Sequence, residues 1–293
     1  MTTRHAFDVY IPLHGFRWDG DNLAFVPGLN IRKLTAEPDL TRFAEWLTPM
    51  ELGNLKNEVS HWLTFETTSG VDPSSGVVSN LFLLSLWLAK ATKTHIAFRF
   101  KVGKEAAEDL TRMARYLDQF EYVEGSTHEK FDNDDLRKAG QYFQAMFSMP
   151  VDTRLVMAQI LTLNGCWQSH WHSAISLFAA ASETLLTYLK APGLTERLAT
   201  AYACLLHTAK HERDSAYLDF RECYETRSDI VHGRGLNVPK ADRLAKVVRW
   251  QNLLRNLWIH ILGDPSLIAV LNGDDALREA HIAPIVKGYS PPP

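Results

Sequence analysis

Tyr224-Glu225-Thr226-Arg227-Ser228-Asp229-Ile230-Val231-His232-Gly233 closes a helical run and sets an arginine and a histidine five residues apart. A guanidinium carries a permanent charge on a planar fork of donors, which suits a phosphate. An imidazole takes or gives a proton near neutral pH. The glycine after the histidine stops the helix and opens room for another backbone to approach. Spacing alone decides little. With 18 arginines and 12 histidines in 293 residues, chance yields about one such pair, and Arg255-Asn256-Leu257-Trp258-Ile259-His260 is a second. Context separates the two. The second pair sits in an unbroken apolar pattern of Leu253, Leu254, Leu257, Trp258, Ile261 and Leu262, which predicts a helix with a buried face. Five helical residues leave two side chains ~140° apart. His232, at a fraying helix end, bends back toward Arg227 more easily than His260 bends toward Arg255. Arg255 and His260 are therefore read as structural.

Outward from the motif the chain reads as helices. Arg213 to His232 forms the motif helix. Asn237-Val238-Pro239 opens another that runs to about Ile261, where Gly263-Asp264-Pro265 stops it. Upstream, Asn133 caps a helix carrying Asp134 and Asp135 in its first turn. Thr153–Leu163 gives the next, and Trp171–Leu189 a long one with Ile175, Phe178, Leu185 and Leu186 on its apolar face. Pro192-Gly193 breaks that helix, and Thr195-Glu196 opens its successor. The tail from Tyr289 to Pro293 reads as loose.

The N-terminal part has a different texture. Residues 7–13, 22–26, 29–34, 62–66 and 95–100 read as short strands, with a turn signal at Asp19-Gly20-Asp21-Asn22. Residues 38–47 open with a proline and have helical spacing, and 71–76 reads as a loop before a buried apolar helix around Leu81–Ala89. The polar stretch Gly125–Asn133 is the best linker. The expected architecture is an α+β N-terminal domain over 1–125, followed by an all-α antiparallel helical bundle over 126–293.

Composition narrows the function. The content is 46% hydrophobic and 22% charged, as in a chain that buries a real core. A net charge of −3 excludes a globally basic nucleic-acid binder, so any nucleic-acid site is a local patch. Cys166, Cys204 and Cys223 form no paired framework, and Met1–Asp8 lacks a secretory core, which together point to the cytoplasm. No apolar stretch is long enough to span a bilayer. P-loop, dinucleotide-binding and serine-hydrolase motifs are missing. His207 and His211, one turn apart, and His170 and His172 are read as solvated or hydrogen-bonded rather than as metal ligands.

The motif and its flanks, Y-x-x-R-S-x-I-V-H-G, resemble the R-x-x-x-x-H active site of HEPN-domain ribonucleases, and most of all the ApeA-like branch of bacterial antiphage defence. The resemblance covers roughly 130–262 and is strongest over 213–234. It implies a HEPN-like bundle and a metal-independent endoribonuclease, restrained until a phage-derived trigger appears, with no cofactor and RNA as substrate. Arg227 would hold the scissile phosphate, and His232 would serve as general base or general acid. One histidine does not easily fill both roles in one step, so the resemblance also implies a homodimer with a composite site. Glu183 matches an acidic position on the family's upstream helix that faces the motif; a solvated glutamate is the plain alternative. Ser228 supports the phosphate or caps locally. Asp229 tunes His232 or faces water. Tyr224 stacks on a base or packs in the bundle, packing being the simpler reading. Arg234 and Arg221 add RNA affinity. The competing reading is a non-catalytic HEPN module that senses a phage product or binds a partner protein.

Overall fold

The computed structural model describes residues 7–34, 38–65, 76–103, 112–115, 130–188, 192–234 and 237–292. Two compact units divide the chain at 147/148. The first is α+β and the second consists of helices.

The N-terminal unit is built on strands β1 (Phe7–Pro12), β2 (Asn22–Val26), β3 (Leu29–Arg32), β4 (Trp62–Phe65), β5 (Phe98–Gly103) and β6 (Arg112–Arg115). They form one sheet in the order β2-β3-β4-β1-β5-β6, with every neighbouring pair antiparallel. The expected strands are present, displaced by a few residues at 95–100, and β6 is additional. The tight hairpin turn falls at Pro27-Gly28 between β2 and β3 rather than at Asp19–Asn22. Gly28 has φ +81°, a left-handed conformation that glycine reaches without a Cβ penalty. Helix α1 (Pro49–Asn57) and the apolar helix α2 (Gly76–Ala89), buried almost all round, complete this part.

The expected helix over 38–47 is a short 3-10 turn, Leu40–Phe43. Two local bonds explain it. The Asp39 carboxylate accepts from the Thr41 N–H at 3.0 Å and holds a tight turn. Thr48 and Glu51 form a reciprocal capping box, with Pro49 in the first turn, so the regular helix starts only there.

Helix α3 (Asn133–Phe147) belongs to this first unit, so the division lies after α3 instead of at the polar stretch before it, most of which falls outside the described residues. It packs on α2 and β2. Gly140 permits that approach: a Cβ there would lie 2.6 Å from the Phe25 carbonyl oxygen. The cap is Asp132, whose carboxylate accepts from the Asp135 N–H at 2.7 Å, while Asn133 accepts from the Trp18 indole at 2.9 Å.

The second unit holds α4 (Arg154–Cys166), α5 (Trp171–Leu186), α6 (Leu194–Leu206), α7 (Lys210–Val231), α8 (Lys240–Leu262), α9 (Pro265–Asn272) and α10 (Asp275–Val286). Helix α4 packs along α5, α6 along α7, and α5 against α8. Its core includes Phe178, Phe220, Trp250 and Trp258, none more than 1% exposed. Helices α7 and α8 run antiparallel: the Trp250 indole donates to the Cys223 carbonyl, and Arg249 pairs with Asp219 and Glu222. Helices α9 and α10, not expected from the sequence, follow the stop at Gly263. The tail is tied down by Tyr289, whose hydroxyl donates to Asp214 on α7 at 3.0 Å. Among the described residues no helix is long and apolar enough to cross a membrane.

Candidate functional site

Helix α7 is amphipathic over its second half. Phe220, Cys223 and Tyr224 point inward, Glu222, Glu225 and Asp229 outward, and Arg227 lies at the boundary. That position gives Arg227 a neighbour on α5. Its guanidinium lies 3.4 Å from Glu183 Oε1. The same oxygen accepts the Tyr224 hydroxyl at 2.6 Å, and Arg227 Cζ sits 5.5 Å from the centre of the Tyr224 ring. One carboxylate thus joins two helices through a tyrosine and an arginine. Tyr224 both packs, at 4% exposure, and hydrogen-bonds. Burial first, and then the Glu183 carboxylate, push its hydroxyl pKa up, so it remains a donor. Glu183 faces the motif helix and is not a solvated side chain. Close packing at that level suits the small residues around it, Ala179, Ala181 and Ser182, all buried.

His232 is the C-cap of α7, with φ −89° and ψ 10°. Its N–H donates to the Ser228 carbonyl at 3.1 Å, and Gly233 follows in the left-handed region at φ +71°. The imidazole is exposed and has no side-chain partner among the described residues. No hydrogen bond joins it to Arg227. The helix stays regular through Val231, so the two side chains keep their angular separation. The Ser228 hydroxyl is likewise without a partner among the described residues. Asp229 is not directed at His232: its carboxylate accepts from Arg234 Nε at 3.1 Å, and its carbonyl from the Arg234 N–H at 2.7 Å.

The flanking cations are mostly occupied. Arg221 pairs with Glu225 at 3.1 Å, Arg234 with Asp229, and Arg249 with two carboxylates; Arg213 Nε donates to the His207 carbonyl. Lys246 on α8 reaches the Thr226 hydroxyl at 3.3 Å, one residue before Arg227. Sequence reading passed over Lys246 because it is close only once α7 and α8 pack antiparallel. Its i, i+4 place before buried Trp250 is the only sequence trace of that.

Other histidines answer to burial. His14 stacks on His95 at 5.2 Å in the N-terminal unit, and burial lowers its pKa to about 4. His207 lies 3.7 Å from Glu212. Among the described residues no three His, Cys, Asp or Glu side chains gather as a metal site would require. No protein-family model, curated protein or solved structure matches this chain.

Proposed function

We propose that this chain is a metal-independent endoribonuclease of the HEPN type, with Arg227 and His232 as its catalytic residues. Its second unit is taken as an antiparallel HEPN-like bundle. The observation that carries the reading is the exposed His232 imidazole at a helix end, without a side-chain partner among the described residues and about one and a half turns from an arginine braced by Glu183 and Tyr224. RNA supplies its own nucleophile, the 2′-hydroxyl. That oxygen bonds to phosphorus as the bond to the 5′-oxygen breaks. A base takes the 2′ proton and an acid returns one to the leaving oxygen. Arg227 offsets the charge on the non-bridging oxygens; a single contact to Glu183 leaves most of its five donors free. His232 fills one of the two proton-transfer roles, and a second copy of the chain, as a homodimer, supplies the other. The biological setting that goes with the resemblance is cytoplasmic antiphage defence, with activity restrained until a phage-derived trigger appears.

A second reading has one observation in its favour. Arg227 is already engaged by Glu183 and the Tyr224 ring, which is how an arginine that merely ties α5 to α7 would be placed. In that case the unit senses or binds a partner without cutting RNA. The test is incubation of the purified protein with RNA in excess chelator. Cleavage leaving 2′,3′-cyclic phosphate and 5′-hydroxyl ends, lost in Arg227→Ala and in His232→Ala, supports the first reading. Cleavage that survives both substitutions overturns it.

A further inference from the structure

A cleft of about 600 Å³ opens in the helical unit beside the last turn of α5, within the roughly 300–1,000 Å³ of ordinary ligand pockets. Arg154, Glu183, Thr187, Tyr188, Asp275 and Glu279 contribute to its wall. Glu183 belongs to both this cleft and the motif, because its Oε1 holds Tyr224 and Arg227. Arg227 does not line the cleft itself but touches its wall through Glu183.

The partners of the lining side chains decide what can enter. Arg154 donates to the carbonyls of Thr184 and Thr187, closing the C-terminal end of α5. Asp275 is held by Arg278, with Arg154 at 3.9 Å. Glu279 makes no hydrogen bond or ion pair among the described residues, and it shares the wall of this cleft with Tyr188. Three carboxylates against one anchored guanidinium repel a phosphate. The wall instead offers an aromatic ring and an unengaged pair of acceptor oxygens. That combination suits a flat group with N–H donors on one edge, which describes a nucleobase.

We infer that this cleft binds a guanine base of the RNA substrate, with Glu279 reading its edge; the inference rests on the ribonuclease reading of Arg227 and His232. Guanine presents N1–H and N2–H side by side, matching the two oxygens of one carboxylate. Adenine and cytosine each set one amino donor beside a ring acceptor. Uracil sets its single N–H between two carbonyls, which a carboxylate repels. Tyr188 supplies a stacking face, and Arg227 lies across Glu183 to take the adjoining phosphate.

The test uses the full chain and 2′-O-methyl tetranucleotides, which lack the attacking hydroxyl and cannot be cut. Their sequences are identical except for one position holding guanine, hypoxanthine or uracil. Fluorescence anisotropy should show guanine bound about tenfold or more tightly than uracil, with hypoxanthine, which lacks the 2-amino group, in between. E279Q, at an exposed position, should keep the melting temperature of the parent and erase the guanine preference. Equal affinity for guanine and uracil, an unchanged preference in E279Q, or no binding of either oligonucleotide overturns the inference. A Glu279-dependent guanine preference in a protein that never cuts RNA leaves the base site standing and removes the ribonuclease reading. Cutting that needs Arg227 and ignores Glu279 does the reverse.

Discussion

Two arginine–histidine pairs with identical spacing lie on neighbouring antiparallel helices, and they differ in almost everything else. Arg227 and His232 stand at the C-terminal end of α7, where the histidine is exposed and the next residue is a left-handed glycine. Arg255 and His260 stand inside α8, between Leu254, Leu257, Trp258 and Ile261, each at most 1% exposed. A five-residue step in a helix sends its two side chains to different faces. In α8 both side chains are half-buried. In α7 the second residue lies at the point where the helix stops, and its ring is left to solvent. The same letters thus give a free imidazole in one place and a half-buried one in the other.

The largest expected effect separates the pairs directly. On the proposed ribonuclease reading, His232→Ala should slow RNA cleavage about a thousandfold, within the range of a lost general acid or base, whereas His260→Gln should stay within about twofold. Initial rates on one fluorogenic RNA, at matched concentrations of folded protein, measure both. Equal losses from the two substitutions would remove the distinction.

Next in size is an effect that belongs to α8. The Trp258 indole is fully buried and donates to the Thr162 hydroxyl at 3.0 Å. Trp258→Phe deletes that bond and leaves a void, and should lower stability by about 2 kcal/mol. The urea midpoint should fall with little change in slope. The cleavage rate per folded molecule should be unaffected.

How much of this contrast was legible follows from what sets each element. The long helices announced themselves through apolar periodicity and through punctuation at Pro192-Gly193, Pro239 and Gly263, because caps and breakers are local chemistry. Asp39 and the Thr48–Glu51 box are local too, but they compete with the helical spacing of 38–47, and side-chain capping won. Helices α9 and α10 are short, and Tyr289 finds Asp214 only through the fold. At the candidate site, the place of His232 at a helix end was readable, and the facing of Glu183 toward α7 was one of two readings the sequence left open. The engagement of Asp229 by Arg234 was not, because the helix end lets the chain turn back on itself. The approach of Lys246 depends on the packing of two helices distant in sequence.

The two helix ends give the third comparison. Gly233 holds φ +71°, and a Cβ there would meet nothing within 4 Å, so Gly233→Ala should cost only backbone strain, about 1 kcal/mol. Gly263, after α8, has φ −77° in the right-handed region. A Cβ there meets the Ile259 carbonyl oxygen at 3.2 Å. Gly263→Ala should therefore act through that one contact rather than through φ, with a smaller loss. Paired thermal melts of the two variants check the order.

The smallest effect concerns protons on the half-buried pair. Burial lowers the His260 pKa from its usual value of 6.5, with His207 adding to the shift and Asp264 opposing it. A base with a depressed folded-state pKa leaves the unfolded chain binding more protons just below 6.5. Its contribution to stability is therefore complete above that pH and is lost as the pH falls toward the lowered value. His260→Gln should flatten that part of the stability profile. Asp264→Asn, which keeps the α9 cap, should move the His260 titration further down, since it removes the opposing charge. Ring-proton shifts followed by NMR against pH resolve this histidine from the exposed ones. A His260 that titrates at or above 6.5 would mean that α8 does not bury it, and the contrast with α7 would lose its physical basis.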